Sequence, residues 1–302
     1  MADLQPLFIL TCMRSYSSLV SSMLGQHSGL FAMPELNPFI GDSLRQIETM
    51  ARAVRPRTLD GLYRAVAELV FGGQGEPEIA EARRWCAARP RWTAVELISD
   101  LSDRVAPRKP IDKSPSTVLV DGALERALAQ FPNAFFLHLY RHPIATTASI
   151  AKITGKWQPP TRQGLRGGRQ RDPEESWFGI NAAILRASLR IAPGHFMSVR
   201  GEDVLRDPDR YLTQICDWMG LETTRADLSA MHHPEHSPFA CLGPPSAPFG
   251  NDPNFLREPG YNPRPISEAP LDAPLEWDSP NRRLGRETVA LACQLGYGRG
   301  TR

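Results

Sequence analysis

The chain predicts an α/β fold: three layers, α/β/α, around a mostly parallel central sheet, with a P-loop-like phosphate-binding loop and a helical insertion. Three observations predict it. Short apolar runs alternate with stretches of helical periodicity along most of the chain. The most apolar run, Ala134 to Tyr140, shows almost no polar alternation, as in a strand buried on both faces of a parallel sheet. The first run, Leu7-Phe8-Ile9-Leu10, passes directly into small polar residues and a helix start, the layout in which ligands bind at the carboxyl ends of the strands.

The elements follow in order. The first strand covers roughly 6–11, and its helix runs to about Gly25. A short second strand, Leu30 to Met33, stops at Pro34-Glu35. From about Asn37 to Asp103 the spacing is helical, with Leu44, Ile47 and Val54 and then Leu62, Val66, Leu69 and Val70 on common faces. This block, about 37–105, reads as an insertion beside the sheet, either shaping a pocket or serving as scaffold. Ile111 to Ser116 reads as a short edge strand or strand end, with a helix near 117–130. After the Ala134–Tyr140 strand a helix opens at Pro143, where proline is suited to the first turn. A helix over 173–191, a strand over 196–200 and a helix from Pro208 to Met219 follow. Residues 155–172 carry glycine, proline and arginines without an apolar period and read as a loop. Residues 232–280 are too rich in proline for a long helix and read as a functional cover over the surface. A last helix spans about 281–295, and the whole of 1–302 reads as one domain.

Composition narrows the function. The chain has 302 residues, 41% of them hydrophobic, and a net charge of +2. That is enough to bury a full core, and the basic residues are too dispersed for a nucleic-acid binder. Five cysteines form no C-x-x-C pair, so neither a disulfide framework nor a zinc site is expected, and a reducing cytoplasm fits. No stretch of eighteen apolar residues occurs, so a soluble, unexported, cytoplasmic protein without membrane partners is expected. Oligomeric state is not encoded in any pattern found.

The loop Thr11-Cys12-Met13-Arg14-Ser15-Tyr16-Ser17-Ser18 carries the chemistry. A strand–turn–helix junction directs backbone N–H groups and the positive end of the helix at one point, a site for an anion. Ser15, Ser17 and Ser18 add hydroxyl donors and Arg14 a fixed charge. The glycines, lysine and magnesium-binding hydroxyl of a nucleotide-triphosphate loop are missing. At the end of the Ala134–Tyr140 strand stands Arg141, where an ATP-hydrolysing enzyme would hold an aspartate for magnesium. An arginine there suits a second phosphate bound without metal. Ser149, two helical turns on, is placed to donate to it.

With these residues in place, the chain resembles the sulfotransferases that use 3′-phosphoadenosine 5′-phosphosulfate. Residues 11–18 resemble their 5′-phosphosulfate loop, and Arg141-His142-Pro143 with Ser149 is similar to their 3′-phosphate motif. Asp112-Lys113-Ser114-Pro115, Arg200 to Val204, and Gly250-Asn251-Asp252-Pro253-Asn254-Phe255 resemble further segments, the last one in bacterial members that include those of polyketide assembly lines. The resemblance departs at three places. Tyr16 stands where the loop usually has glycine, so it either stacks on a ligand or faces solvent. Pro115 occupies the place of the histidine that many eukaryotic members use, and the C-terminal Arg-Lys-Gly signature is not matched by Gly298-Arg299-Gly300.

The resemblance implies transfer of a sulfuryl group to a hydroxyl of a small metabolite or carrier-bound acyl chain, in secondary metabolism, with 3′,5′-adenosine bisphosphate as the other product and no metal. Cofactor binding then falls to Arg14, Ser15, Tyr16, Ser17, Ser18, Arg141 and Ser149. Arg14 would face the leaving 5′-phosphate, and Lys113 would either bear on the sulfuryl oxygens or be an exposed lysine. Glu35 is the first candidate for the base, or else a helix-start carboxylate; one of His232, His233 and His236 is the second. Those histidines, interrupted by Pro234, do not complete a zinc set. Arg162, Arg166, Arg169 and Arg171 form either a solvated basic loop or a lid. Trp177, Asn181 and Trp218 read as core, His138 as packed in the sheet, and His142 as orienting the strand–helix turn. Two other readings compete: a small-molecule kinase with a degenerate phosphate loop, and a non-catalytic module that binds adenosine bisphosphate.

Overall fold

The apolar runs become five strands: β1 (Leu7–Leu10), β2 (Leu30–Ala32), β3 (Lys109–Asp112), β4 (Phe135–Tyr140) and β5 (Phe196–Arg200). The computed structural model describes residues 5–54, 57–154, 172–263 and 265–298. The sheet order is β2-β3-β1-β4-β5, and every neighbouring pair is parallel. β1 therefore lies at the centre, with the carboxyl ends of β3 and β4 on either side of its own.

The helices are α1 (Ser17–Leu24), α2 (Leu44–Val54), α3 (Asp60–Phe71), α4 (Glu76–Ala87), α5 (Ala94–Val105), α6 (Ser116–Leu119) and α7 (Ala123–Gln130). After β4 come α8 (Pro143–Thr154), α9 (Pro173–Ser188), α10 (Gly201–Arg206), α11 (Pro208–Trp218), α12 (Arg225–Met231), α13 (Pro253–Arg257) and α14 (Arg286–Gln294). Among the described residues none of them is long and apolar enough to cross a membrane.

Strand alternation divides the core in two. Phe8 and Leu10 face a cluster containing Phe136, Trp177 and the apolar faces of α2 to α5, while Leu7 and Ile9 face one built on Val20, Met23, Leu212 and Ile215. All six residues of β4 are buried, which is why that run carries no polar alternation. Phe8 packs edge-on against Phe39 at 5.2 Å and Phe131 at 5.1 Å, fixing the start of the insertion to the central strand.

The structure sharpens the sequence reading at three places. Of the two alternatives at Ile111 the strand end holds and the edge does not: Ile111 pairs with both Leu7 and Ala32, so β3 is interior and β2 takes the edge. Its brevity and its charged ends, Lys109 and Asp112, mimic an edge. The helix expected over 117–130 breaks into α6 and α7 at Gly122, whose φ of 77° interrupts the helical run. The proline-rich segment, expected to hold no long helix, holds the five-residue α13, started by Pro253 with the Asp252 carboxylate accepting from Asn254 N–H at 2.8 Å. α10 and α12, both too short for a clear period, were also not expected.

Candidate functional site

The chain leaves β1 into a turn that needs left-handed backbone and has no glycine to supply it. Arg14 has φ 69°, and Tyr16 caps α1 at φ 65°. Such conformations cost about 1–3 kcal/mol each and persist only where the surroundings impose them. Here Tyr16 is held between two neighbours. Its ring lies under the Arg141 guanidinium, 4.3 Å from Cζ to centroid. On another side it sits against Gly201, where an added Cβ would fall 2.9 Å from the tyrosine Cδ2. The ring therefore supports an arginine of its own chain.

That contact brings together the two arginines, 127 residues apart in sequence. Arg141 Nη1 donates to the Arg14 carbonyl oxygen at 3.0 Å. Arg14 Nε donates to Ser149 Oγ at 2.9 Å, and its Nη1 pairs with the Asp252 carboxylate. Ser149 thus serves Arg14 directly, on the seam between the two motifs. Burial, and then the nearby Arg141 charge, hold the Arg14 guanidinium below its ordinary value. Among the described residues, two buried donors in this corner lack a partner: Ser15 Oγ and Arg141 Nε. Two crowded cations with unpaired donors are the chemistry of an anion site.

A second group gathers around the next two strand ends. Lys113, just after β3, is 1% exposed, which removes the surface-lysine reading. Its Nζ donates to Ser18 Oγ at 3.0 Å and pairs with the Glu35 carboxylate. Ser18 Oγ also accepts from Asp252 N–H at 3.1 Å. With both acceptor positions used, its own O–H is left to donate elsewhere. Glu35 is anchored through its backbone, its N–H donating to the Gly250 carbonyl at 2.7 Å. Gly61 makes that approach possible, because a Cβ there would lie 2.3 Å from the Glu35 carbonyl oxygen. Beneath lies Asp112, accepting from Ser114 Oγ at 2.8 Å and Leu36 N–H at 3.2 Å, its carboxyl pushed up to about 7 by burial.

These groups meet at a cavity of about 530 Å³, within the range of small-molecule sites. Arg14, Ser17, Ser18, Glu35 and Lys113 line it, and Ile40, Leu119, Val120, Ile153 and Phe249 contribute apolar wall. The proline-rich segment reaches the cavity through Phe249 to Asn254 and Arg257, while Tyr261 and Ile266 pack on the opposite core.

No histidine lines this cavity, so the second candidate for the base is displaced. His232 pairs with Asp209 at 2.5 Å, and His233 with Glu235 at 2.9 Å. The ligand atoms of His233, Glu235 and His236 lie within 4.8 Å of one another on the exposed surface. His138 is buried between Ser198 and Asn181, at 3.1 and 2.8 Å. His142 rests edge-on against Tyr297, and its backbone N–H donates to the Glu202 carboxylate at 2.8 Å. Burial lowers both imidazoles to about 4. Trp177 and Asn181 are fully buried, and the Trp218 indole donates to the Gly194 carbonyl at 2.6 Å. Arg162, Arg166, Arg169 and Arg171, like Arg299 and Gly300, lie outside the described residues.

Two groups at the site had no assigned part. Asp252 pairs with Arg14, and Asp112 braces the chain below Glu35. An Asp-Pro pair signals the start of α13, yet nothing local names Arg14 as its partner.

Residues 6–225 match the profile of the sulfotransferase family. Two solved structures are similar over almost their whole length. A sulfotransferase domain from the olefin synthase of Synechococcus PCC 7002 is 25% identical, with a TM-score of 0.73, covering 97% of this chain and 96% of that one. A sulfotransferase domain from the curacin biosynthetic pathway is 24% identical, with a TM-score of 0.77, covering 97% and 98%. No curated protein sequence matches.

Proposed function

This chain belongs to the sulfotransferase family; it is a transferase whose donor is 3′-phosphoadenosine 5′-phosphosulfate, and from that premise we propose which residues do the work and what class of acceptor they serve. The kinase and the non-catalytic readings give way to this one. The acceptor in this reading is an alcohol, on a small metabolite or on an acyl chain tethered to a carrier. The assembly-line origin of similar domains and the partly apolar cavity support it. A cytoplasmic location is part of the same proposal.

The donor, when bound, supplies a sulfuryl group on a 5′-phosphate leaving group. The unpaired Ser15 Oγ and Arg141 Nε, with Arg14 beside them, fit its phosphates. Arg141 holds the 3′-phosphate, with Ser149 and the Tyr16 ring keeping the two guanidiniums in place. Arg14, Ser15, Ser17 and Ser18 face the 5′-phosphate and stabilise the charge that grows there, a task that fixed cations and hydroxyls perform without reorganisation. Glu35 takes the proton of the acceptor hydroxyl as its oxygen bonds to sulfur and the bond from sulfur to the 5′-phosphate oxygen breaks. In its ion pair with Lys113 the glutamate is a carboxylate, the form that accepts a proton. Lys113, after release, bears on the sulfuryl oxygens.

The observation that carries this reading is the single cavity lined by Arg14, Glu35 and Lys113, with Arg141 joined to the Arg14 backbone behind it. Calorimetry with 3′,5′-adenosine bisphosphate in the absence of magnesium tests it. Tight binding is expected, abolished or strongly weakened in Arg141→Ala; binding indifferent to that substitution would remove the site assignment.

A further inference from the structure

Among the described residues, six charged side chains line the cavity: Arg14, Glu35, Arg57, Lys113, Asp252 and Arg257. Four of them cancel in pairs, Glu35 with Lys113 and Asp252 with Arg14. The other two, Arg57 and Arg257, carry an uncompensated charge. Both are exposed while lining the cavity, which places them at its mouth. Among the described residues neither has a carboxylate within ion-pair distance. Arg57 has its guanidinium 5.5 Å from the centre of the Phe249 ring, and Arg257 donates from Nη1 to Asn254 Oδ1 at 3.3 Å. Asp60, which feels Arg57 along with Arg83 and Arg64, is itself buried, accepting from Phe249 N–H at 3.2 Å.

Ile40, Leu119, Val120 and Phe249 give the cavity apolar wall, with Asn37, Thr58, Ser116, Asn251 and Asn254 as neutral polar positions. The cavity therefore combines a proton acceptor with its cation, apolar wall, and two exposed guanidiniums that form no ion pair among the described residues. A ligand complementary to that combination has a hydroxyl at one end, a hydrocarbon stretch, and an anion at the other. A neutral alcohol would leave both arginines to water and gain nothing from them, while a carboxylate or phosphate meets planar donors suited to its oxygens.

We propose that Arg57 and Arg257 form an anion subsite at the mouth of the acceptor cavity, so that the preferred acceptors are alcohols bearing a carboxylate or phosphate at the end remote from the reacting hydroxyl. This rests on the sulfotransferase reading of the cavity floor. The anion has two possible sources, a free hydroxy acid or hydroxyalkyl phosphate, or the phosphate of a carrier's phosphopantetheine arm. The chemistry read by the arginines is the same.

The test compares acceptors that share one alcohol: 1,6-hexanediol, 6-hydroxyhexanoate, 6-hydroxyhexyl phosphate and the phosphopantetheine thioester of 6-hydroxyhexanoate. The expected result is that kcat/KM for at least one anionic member exceeds that for the diol by tenfold or more, a preference that shrinks as salt is raised. Arg57→Gln and Arg257→Gln should each erode this preference, the double variant should bring it near unity, and Arg57→Lys with Arg257→Lys should restore part of it. A phosphopantetheine thioester favoured over both free anions assigns the carrier arm as the source; the reverse assigns a free metabolite. If none of the four is turned over, the same ratio is read from calorimetric affinities measured in the presence of 3′,5′-adenosine bisphosphate. A ratio near unity for the wild-type protein, or one unmoved in the double variant, overturns the subsite. Failure of the nucleotide itself to bind would instead overturn the reading of the floor, so the two outcomes are separate.

Discussion

The donor corner and the acceptor floor lie side by side at the carboxyl end of one sheet and handle charge in opposite ways. At the donor corner two guanidiniums crowd together, Arg141 bonded to the backbone of Arg14, with buried donors left unpaired. At the acceptor floor Glu35 and Lys113 neutralise each other, and Ser18 shares its oxygen between Lys113 and Asp252. The contrast follows from the task. The donor corner keeps a net positive charge: among the described residues Arg14 meets one carboxylate, Asp252, while Arg141 forms no ion pair and is left for a polyanion. A site that must move a proton keeps its carboxylate and its cation together: the pair is neutral before transfer, and once the glutamate is protonated the cation is released to face the anionic sulfuryl oxygens. Asp252 touches both regions, through its carboxylate to Arg14 and its N–H to Ser18.

Substitutions at the two regions should therefore fail differently. The largest effect is expected at the floor, where Glu35→Gln should lower kcat by roughly 10²- to 10⁴-fold, the usual worth of a positioned base. Product-nucleotide affinity measured by calorimetry should stay within a few-fold. Because the substitution leaves Lys113 buried without its partner, a Glu35→Gln/Lys113→Met double variant is the control. It should recover thermal stability without recovering turnover. Loss of nucleotide affinity in Glu35→Gln as large as that in Arg141→Ala would erase the distinction between the regions.

Arg14→Ala comes next, with kcat expected to fall by about 10²- to 10³-fold, more than nucleotide affinity falls. Single-turnover rates at saturating donor check this, and an effect confined to donor affinity would move Arg14 from charge stabilisation to plain binding. Arg141→Ala should cost about 1.5–3 kcal/mol in affinity for 3′,5′-adenosine bisphosphate, as loss of charged hydrogen bonds does, with a smaller change in single-turnover rate.

The smallest effect sharpens the comparison through pH. Asp112, beneath the floor, has its carboxyl raised by burial from 3.8 to about 7. A carboxyl raised in the folded state contributes stability that is fully present below its unfolded value and is lost as pH rises through the folded one. Between about pH 4 and 7 the wild-type protein should therefore lose stability that Asp112→Asn retains. Melting temperatures of the two, compared across that window, should show the variant gaining on the wild type as pH rises. Parallel curves would show that Asp112 ionises as freely in the folded chain as in the unfolded one.

Much of this was legible in the sequence because it depends on neighbours a few residues apart. The β1–α1 turn, the continuous apolar run of β4, and the position of Arg141 before Pro143 are all local patterns. Burial on both faces left the strand no polar positions to alternate, and the helix start after it needed only the proline. The position of β3 was not legible, because a four-residue strand with charged ends carries too little pattern to tell the middle of a sheet from its edge. The fate of Tyr16 was not legible either. Its left-handed backbone is a property of the loop, but what repays the strain is a ring contact with Arg141 and a close fit to Gly201.

The amino-acid order by itself determined the alternating α/β architecture, the anion-binding turn and the two arginines at strand ends, since backbone hydrogen bonding, side-chain period and turn chemistry are set within a few residues. Only the tertiary structure decided that Lys113 is buried against Glu35, that Asp252 closes on Arg14, and that the histidines of 232–236 stand away from the cavity. Those are pairings across 78 and 238 residues and a separation that no spacing records. The free energy that fixes them comes from packing of the insertion and the late segment on the sheet, so it exists only once those parts have come together.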